Sequence, residues 1–155
     1  MRPIDCGRSA ADWSVSSRHF RAGVVTVVER SDRMVCVFER ADAPGSWQFP
    51  QGGIDEGEDA DDAAWRELAE ETGLQRPDVE FVAAGAGWIA YEWPPELRRR
   101  RAIGQVQRWY LFHTVDDAPE PRPDGDEFVA HRWVTREWIL EHVIEFRREC
   151  YQLDR

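Results

Sequence analysis

A chain of 155 residues has the size of one ordinary domain, and it is long enough to bury a hydrophobic core without disulfides or a structural metal. Its net charge of -10 argues against a surface built for non-specific nucleic-acid binding, because such binding depends on many cationic contacts with phosphates. The three cysteines are too scattered for a disulfide framework or a zinc site, and no apolar run is long enough to span a bilayer or to act as a secretion signal. We therefore expect a single cytoplasmic domain over residues 1–155 with reduced thiols and no membrane partner, in which residues 1–19 form a loosely ordered segment.

The first third of the chain predicts two strands followed by an irregular loop. The valine-rich segments Phe20–Glu29 and Met34–Arg40 are separated by polar turn residues, as expected for a pair of neighbouring strands. A Pro/Gly break at Ala43–Gly45 is followed by Trp47–Gly53, WQFPQGG, whose proline and two glycines argue against regular secondary structure. We expect this last segment to be a shaped loop.

A helix is predicted over Asp59–Thr72. Carboxylates crowd its first turn, where they complement the positive end of the helix dipole, and Gly73 stands where a C-terminal cap belongs.

The remainder of the chain predicts three further strands and a C-terminal helix. Strand-like patterns cover Val79–Tyr91, Gln105–Val115 and Phe128–Val134, whereas Arg136–Leu153 has helical spacing. The connection between the first two of these strands contains Arg98–Arg101, which could meet an RNA tail or a polyphosphate but is more simply a solvated run of charge. The order of strands, helix, strands and helix predicts an α/β domain in which a mixed β-sheet is sandwiched between α-helices.

The predicted helix carries the residues that suggest chemistry. Spacings of three and four place Glu67, Glu70 and Glu71 on one face, and neighbouring carboxylates repel one another unless a cation lies among them. Mg²⁺ suits such a cluster, because it takes oxygen ligands and can keep waters and substrate phosphates as its remaining ones. Taken alone, however, an acidic cluster of this kind is more commonly a solvated surface.

The wider pattern around these carboxylates resembles the Nudix box. It runs Gly52, five residues, Glu58, seven residues, and then RELAEETGL from Arg66 to Leu74. Seven fixed identities would coincide by chance in fewer than about one in 10⁵ chains of this length. The resemblance implies the Nudix fold, a dependence on Mg²⁺ with Mn²⁺ as a substitute, and hydrolysis of a phosphoanhydride bond in a nucleotide.

The resemblance also implies roles for the acidic residues. Glu67, Glu70 and Glu71 would bind the metal, and Glu127 would be the further acidic residue that completes the metal site or acts as the base. Glu71 and Glu127 are the candidates for positioning or deprotonating the attacking water, and the sequence does not choose between them. Arg66, which can pair with Glu70 one helical turn away, and Glu67 complete the predicted catalytic set.

Segments outside the box resemble one branch of the Nudix family, the RNA pyrophosphohydrolases and diadenosine polyphosphate hydrolases. These segments are Ser46–Gly53, Trp88–Pro94, Gly104–Trp109, Glu127–Val134 and Phe146–Tyr151. The resemblance implies that Tyr91, Phe146 and Arg147 hold a nucleobase or its neighbouring phosphate. Two glycines, Gly52 and Gly53, would let the backbone approach a diphosphate. The predicted substrate-binding set is completed by Gln105, Ser46 and Arg40, the last standing one position from the basic residue of that branch.

The expected substrate is a dinucleoside polyphosphate or the 5′ end of triphosphorylated RNA, bound by a monomer or a homodimer. One alternative is a different Nudix substrate, such as ADP-ribose or a damaged nucleoside triphosphate, because the box fixes the chemistry and leaves specificity to the loops. Another alternative is a non-catalytic Nudix domain that senses a nucleotide. The complete set of box carboxylates argues against a sensor.

Overall fold

A mixed β-sheet between helices forms the fold, which a computed structural model describes over residues 17–153. Within that range the sheet has eight strands: β1 His19–Glu29, β2 Val35–Arg40, β3 Trp47–Gln48, β4 Gln51–Gly53, β5 Val79–Ala84, β6 Ile89–Glu92, β7 Ala102–Thr114 and β8 Phe128–Val134. The α-helices are α1 Ala60–Thr72, α2 Arg136–His142 and α3 Glu145–Leu153.

Strand β1 lies in the middle of the sheet. It runs parallel to β7 along its whole length and antiparallel to β4, while β2 pairs with β3 and β8, and β7 also pairs with β5 and β6. Both faces of β1 are apolar in its second half, since Val24 and Val28 point to one side and Val25 and Val27 to the other. A strand that buries both faces belongs at the centre of a sheet.

Helices cover both faces of the sheet. Leu68 of α1 packs with Val24 and Val28, whereas Ile139 of α2 and Tyr151 of α3 belong to the cluster on the opposite face. Each fully buried side chain of this size contributes roughly 1.5–3 kcal/mol to stability. The predicted α/β sandwich is therefore confirmed, and its two cores fix α1 and α3 against opposite sides of the sheet.

The prediction that Trp47–Gly53 lacks regular structure is wrong. Strands β3 and β4 occupy its two ends, and the backbone oxygen of Pro50 between them accepts a hydrogen bond from the Thr26 amide at 2.9 Å. Close packing of β4 on β1 needs glycine, because a Cβ at Gly23 would lie 2.7 Å from the Gly52 oxygen. Pairing of β3 with β2 and of β4 with β1 thus imposes order on a sequence that locally suggests only a loop.

The predicted pairing of the first two strands is correct only at their turn. Glu29 pairs with Val35, but farther along the strands β2 turns to β8 and β1 to β4 and β7. The strand positions follow from the valine-rich segments, whereas the strand partners depend on residues far away in the chain.

Two predicted elements are each divided in the structure. The segment Val79–Tyr91 forms β5 and β6, with Gly85 and Gly87 between them. The C-terminal helix is split because Val143 adopts an extended backbone conformation, with φ -75° and ψ 147°, and buries its side chain in the core. This break allows both α2 and α3 to pack on the same side of the sheet.

Other sequence predictions concern the thiols, the N-terminus and the membrane. Cys36 and Cys150 are free, buried thiols, and Cys6 lies outside the described residues. Most of the segment 1–19 also lies outside them, although His19 already belongs to β1. Between residues 17 and 153, no helix has the length and apolar character needed to cross a membrane.

Candidate active site

Helix α1 is held in place by caps that its sequence encodes. The Asp59 side chain accepts a hydrogen bond from the Asp61 amide at 2.8 Å, and Gly73 ends the helix in the left-handed conformation with φ 73°. On the side facing the sheet, Ala64, Leu68 and the carboxylates of Glu67 and Glu71 are buried. Glu67 and Glu71 therefore face the β4 backbone rather than solvent.

Arg66 joins the start of the box to the helix. Its guanidinium donates to both carboxylate oxygens of Glu58 at 2.8 Å, to the backbone oxygen of Gly53 at 2.9 Å and to Glu67 at 2.6 Å. Its predicted partner Glu70 is also in contact, at a longer 3.3 Å. The hydrogen bonds from Arg66 lower the pKa of Glu58 to about 2. Arg66 and Glu58 thus form a fixed brace that orients Glu67.

The Glu67 carboxyl lies directly against Gly52. An alanine Cβ at Gly52 would stand 1.8 Å from Cδ of Glu67, far inside the normal contact distance. Burial raises the pKa of Glu67, and contacts with Arg66 oppose that shift. The glycine of the box therefore makes room for this carboxyl.

Glu71 is the most enclosed of the box carboxylates. Its Oε2 accepts a hydrogen bond from the Gln51 amide at 2.8 Å, so it is fixed beside the first residue of β4. Burial, followed by repulsion from Glu127 and Glu67, raises its pKa to about 9. The three acidic side chains therefore act on one another electrostatically, as expected for residues that share a cation.

Glu127 precedes β8 and lines a pocket with Gly52 and Arg147. Loss of water around its carboxyl raises the pKa of Glu127, while Arg40 and then Arg147 oppose the shift. Its charge raises the pKa of Glu71, so the carboxylate before β8 and the carboxylate on α1 repel each other.

The donor set fits a divalent cation by its chemistry, although the side chains do not converge as they stand. Within residues 17–153, no three histidine, cysteine or acidic side chains have a geometry that could hold a metal ion. Glu67 is engaged by Arg66, and the Glu70 side chain is 60% exposed with Arg66 as its contact. Buried carboxylates that repel one another are the groups that a hard cation would stabilise. The roles of Glu67, Glu70, Glu71 and Glu127 as ligands remain predictions.

A pocket of about 340 Å³ opens above the acidic site. Its lining includes Gln51, Gly52 and Gly53 of β4 on one side, and Gln105 of β7 and Phe146 of α3 on the others. The β4 backbone is therefore the boundary between the pocket and the helix carboxylates.

A buried arginine forms one end of this pocket. Arg147 is only 7% exposed, and it donates to Oε1 of Gln48 and, with the Gln51 amide oriented to match, to the oxygen of Gln51 at 2.9 and 3.1 Å. No carboxylate among residues 17–153 forms an ion pair with it, and its Nε has no hydrogen-bond partner there. A cation of this kind is suited to an anionic ligand.

Tyr91 and Phe146, the predicted base-holding pair, are neighbours. Their ring centroids lie 6.1 Å apart with an interplanar angle of 31°, and the Tyr91 hydroxyl donates to Gln105. Tyr91 is buried in the core, whereas Phe146 packs on that core and lines the pocket. The structure thus brings Tyr91, Phe146 and Gln105 together at one wall, with Phe146 as the ring available to a ligand.

Arg40 and Ser46 occupy the edge of the pocket region. Arg40 lines the pocket and is held by Asp42 at 2.7 and 2.5 Å and by Gln48 at 3.2 Å. The Ser46 hydroxyl is buried and has no hydrogen-bond partner among the described residues.

Several residues that line the pocket were not among the predicted substrate-binding residues, although Arg99 belongs to the run Arg98–Arg101 that could meet an RNA tail or a polyphosphate. They are Arg21, Gln51, Trp93, Leu97 and Arg99. Arg21 lies on β1 two residues before Gly23, which packs under β4, so alternation along the strand places both on one face. That signal becomes useful only when the partner strand is known.

A family model described as NUDIX domain matches residues 17–153. A protein named RNA pyrophosphohydrolase from Cereibacter sphaeroides is 39% identical over 140 residues, which cover 86% of each chain.

Solved structures of other proteins share the fold. The E. coli dihydroneopterin triphosphate pyrophosphohydrolase superposes with a TM-score of 0.72 at 19% identity, over 88% of this chain and 97% of its own. A C. elegans Ap4A hydrolase superposes with a TM-score of 0.67 at 16% identity, over 85% of this chain and 93% of its own.

Proposed function

Because the chain belongs to the NUDIX domain family, we propose that it is a pyrophosphohydrolase that hydrolyses a phosphoanhydride bond at the 5′ end of triphosphorylated RNA. The relative that is 39% identical over most of both chains carries the name RNA pyrophosphohydrolase, which supports this substrate ahead of dinucleoside polyphosphates. Nudix hydrolases generally use divalent metal ions, and Mg²⁺ is the ion proposed for this chain, with Mn²⁺ as a substitute.

The observation that carries the proposal is the joining of two kinds of charge at one pocket. Glu67 and Glu71 lie directly behind Gly52 and Gln51, and Glu127 stands at the same pocket. Arg147 supplies a buried positive charge with no carboxylate partner among residues 17–153. A 5′-polyphosphate needs both features, a cation-binding carboxylate set at the reacting phosphorus and a cationic group for the phosphates beside it.

The protein side chains would position the substrate in two ways. Arg147 can present its planar fork to a phosphate, since planar bidentate contacts with phosphate are a property of arginine. Phe146 adjoins it and offers a ring face to a base, with Tyr91 supporting that ring from behind. This arrangement orients the phosphate chain along the β4 backbone at Gln51–Gly53.

The reaction is a substitution at phosphorus. The oxygen of a water molecule forms a new bond to phosphorus, the bond to the bridging oxygen breaks, and that oxygen leaves with the pyrophosphate group while RNA 5′-monophosphate remains. The proton of the water is taken by a carboxylate, for which Glu71 and Glu127 are the candidates within the site. Glu67, Glu70, Glu71 and Glu127 would hold a divalent cation, which would neutralise charge on the non-bridging oxygens.

A substrate panel tests the proposal. The purified protein is incubated with Mg²⁺ and either 5′-triphosphorylated RNA, a diadenosine polyphosphate, ADP-ribose or a nucleoside triphosphate, and the products are identified by chromatography. We expect pyrophosphate and 5′-monophosphorylated RNA to form with the highest kcat/KM. Glu71→Gln should abolish turnover. The control is Glu56→Gln, which removes a charge from an exposed residue between β4 and α1 and should leave turnover unchanged.

The panel also separates the alternatives. Faster hydrolysis of ADP-ribose or of nucleoside triphosphates would replace the proposed substrate and keep the reaction class. Binding of nucleotides without turnover of any substrate would indicate a sensor and overturn the enzymatic proposal.

A further inference from the structure

A second cavity continues from the proposed active-site pocket. It has a volume of about 500 Å³, and it shares Arg21, Trp93 and Arg99 with the first pocket. Its far side is formed by Arg100, Arg101 and His19. The two cavities therefore make one groove that leads from the acidic site across the adjoining ends of β1, β6 and β7.

The groove is lined by arginines that no acidic residue neutralises. Arg21, Arg99, Arg100 and Arg101 are all exposed, and none forms an ion pair with another residue in the range 17–153. Two other arginines near the active site, Arg66 and Arg40, each bind a carboxylate in a two-pronged contact. In a chain with a net charge of -10, four unpaired arginines in one groove mark a local binding surface for an anion.

The turn Arg99–Ala102 contains an arginine in a backbone conformation that favours glycine. The turn Arg99–Ala102 is closed by a hydrogen bond from the Ala102 amide to the Arg99 oxygen at 3.0 Å. Arg100, the first of its two central residues, has a φ of 55°, a conformation for which glycine is favoured. A non-glycine residue there costs about 1 kcal/mol. The turn therefore fixes the backbone of Arg100 beside the second cavity.

Trp93 adds an aromatic surface where the two cavities meet. It is partly buried against the core, and its backbone oxygen accepts a hydrogen bond from Arg98 at 2.9 Å, so its position is fixed. Arginines that follow a phosphate backbone, combined with an aromatic ring for stacking, are the elements that bind single-stranded nucleic acid without sequence preference.

We propose that Arg21, Trp93 and the turn Arg99–Ala102 bind the nucleotides that follow the reacting 5′ end of a single-stranded RNA. The proposal rests on the function proposed above and extends it, because it assigns a binding site to the part of the substrate outside the catalytic pocket. It accounts for an acidic protein acting on RNA, since the contacts with the phosphate backbone are confined to one groove.

The test compares two RNA lengths. The values of kcat/KM are measured for a 5′-triphosphorylated octanucleotide and for a 5′-triphosphorylated dinucleotide, in the native sequence and in Arg100→Gly with Arg101→Ser. We expect the native protein to prefer the octanucleotide and the double variant to lose roughly 3- to 10-fold of that preference. Loss of two phosphate contacts should also reduce the slope of log(kcat/KM) against log salt by about 1.4 for the octanucleotide.

Arg33 provides a matched control for Arg100. It is another exposed arginine with positive φ, 70°, and it lies in the turn beyond the opposite end of the 11-residue β1, about 30 Å from the groove. Arg100→Gly and Arg33→Gly each remove one positive charge and place glycine where φ is positive. Only the substitution at Arg100 should reduce the preference for the octanucleotide, and the melting temperature should show that both variants are folded.

Other results would refute either the binding groove or the proposed function, and the two cases can be distinguished. An unchanged length preference in the double variant refutes the groove, and so does an equal loss on a diadenosine polyphosphate, which would assign the arginines to the phosphate chain instead. If the native protein releases nothing from either RNA, the proposed function fails. If it hydrolyses both RNAs with equal kcat/KM, the proposed function stands and only the groove is refuted.

Discussion

Replacing Gly52 by alanine tests whether the close approach of Glu67 to the β4 backbone is required for catalysis. The added Cβ would lie 1.8 Å from Cδ and 2.0 Å from each carboxylate oxygen of Glu67. Contacts between carbon atoms are favourable only at about 3.5–4.0 Å, so the carboxyl group must move by roughly 2 Å. Because it is the far end of a flexible side chain, the protein should still fold.

The cost should therefore appear in activity rather than in stability. Misplacing a reacting group by about 1 Å can reduce a rate about 100-fold, which corresponds to about 2.7 kcal/mol of transition-state stabilisation. We expect Gly52→Ala to reduce kcat/KM at saturating Mg²⁺ by at least about 100-fold. Its melting temperature should stay within a few degrees of that of the native protein, since the three atoms nearest to the new methyl group all belong to the end of the Glu67 side chain.

The adjacent glycine is the matched control. A Cβ at Gly53 would find its nearest neighbour, Nη2 of Arg21, at 3.6 Å, which is an ordinary contact. Gly53→Ala should therefore keep kcat within a few-fold of the native value, with any effect confined to KM if the diphosphate passes close to it. Equal kcat values in the two variants, measured by product release on samples of equal folded fraction, would show that the reasoning about Gly52 is wrong.

Three further predictions concern the metal, the buried carboxylate and the aromatic wall. EDTA should abolish product release and Mg²⁺ or Mn²⁺ should restore it, because the phosphate oxygens need a cation; full turnover in chelator contradicts this. The pKa of Glu71 in the folded protein, about 9, lies above the ordinary 4.5, so its ionisation weakens the metal-free fold progressively above pH 4.5 and fully above pH 9. In EDTA at pH 8, Glu71→Gln should therefore raise the free energy of unfolding by up to about 4 kcal/mol, and the melting temperature with it. The difference from the native protein should vanish near pH 4.5. A lower melting temperature of the variant at pH 8 would assign the residue a structural role. Phe146→Ala should raise the KM for triphosphorylated RNA several-fold with little change in melting temperature, whereas buried Tyr91→Ala should also destabilise the fold by roughly 3 kcal/mol; an unchanged KM for Phe146→Ala would remove Phe146 from the binding site.

The parts of the fold that the sequence predicts are those set by local signals. Helix α1 begins after Asp59 and ends before Gly73, one residue from the predicted start, because its caps and its apolar spacing lie within the same 15 residues. The short strand β4 escaped prediction because Gly52 pairs with Val24 of β1, which is separated from it by β2 and β3. The strand β3 pairs with the neighbouring β2, but its two residues, Trp47 and Gln48, are too few to show a strand pattern.

In the candidate site, too, contacts between neighbours in sequence could be predicted, whereas contacts between distant segments could not. The motif identified Arg66 and Glu70 as a pair one turn apart, and the structure contains this contact, but the stronger contacts of Arg66 are with Glu58 and Gly53 across a loop. Arg21 lies in a predicted strand, and Trp93 lies in the segment Trp88–Pro94, in which the resemblance assigned a role only to Tyr91. Their place beside the pocket follows from the pairing of β1 with β7 and of β6 with β7, which a single sequence does not display.

The parallel pairing of β1 with β7 has a consequence for how the chain folds. Each of its residue pairs, from His19 with Ala102 to Glu29 with His113, joins positions roughly 80 residues apart. Closing a loop of that length costs entropy before the contacts repay it, so the central ladder should form late and slowly. All the box residues, from Gly52 to Leu74, lie inside this loop, and during synthesis they leave the ribosome before β7 does. The helix α1 therefore cannot pack on a complete sheet until β7 has been synthesised. A chain interrupted before residue 102 would contain the full motif but would lack β7, the strand that pairs with β1.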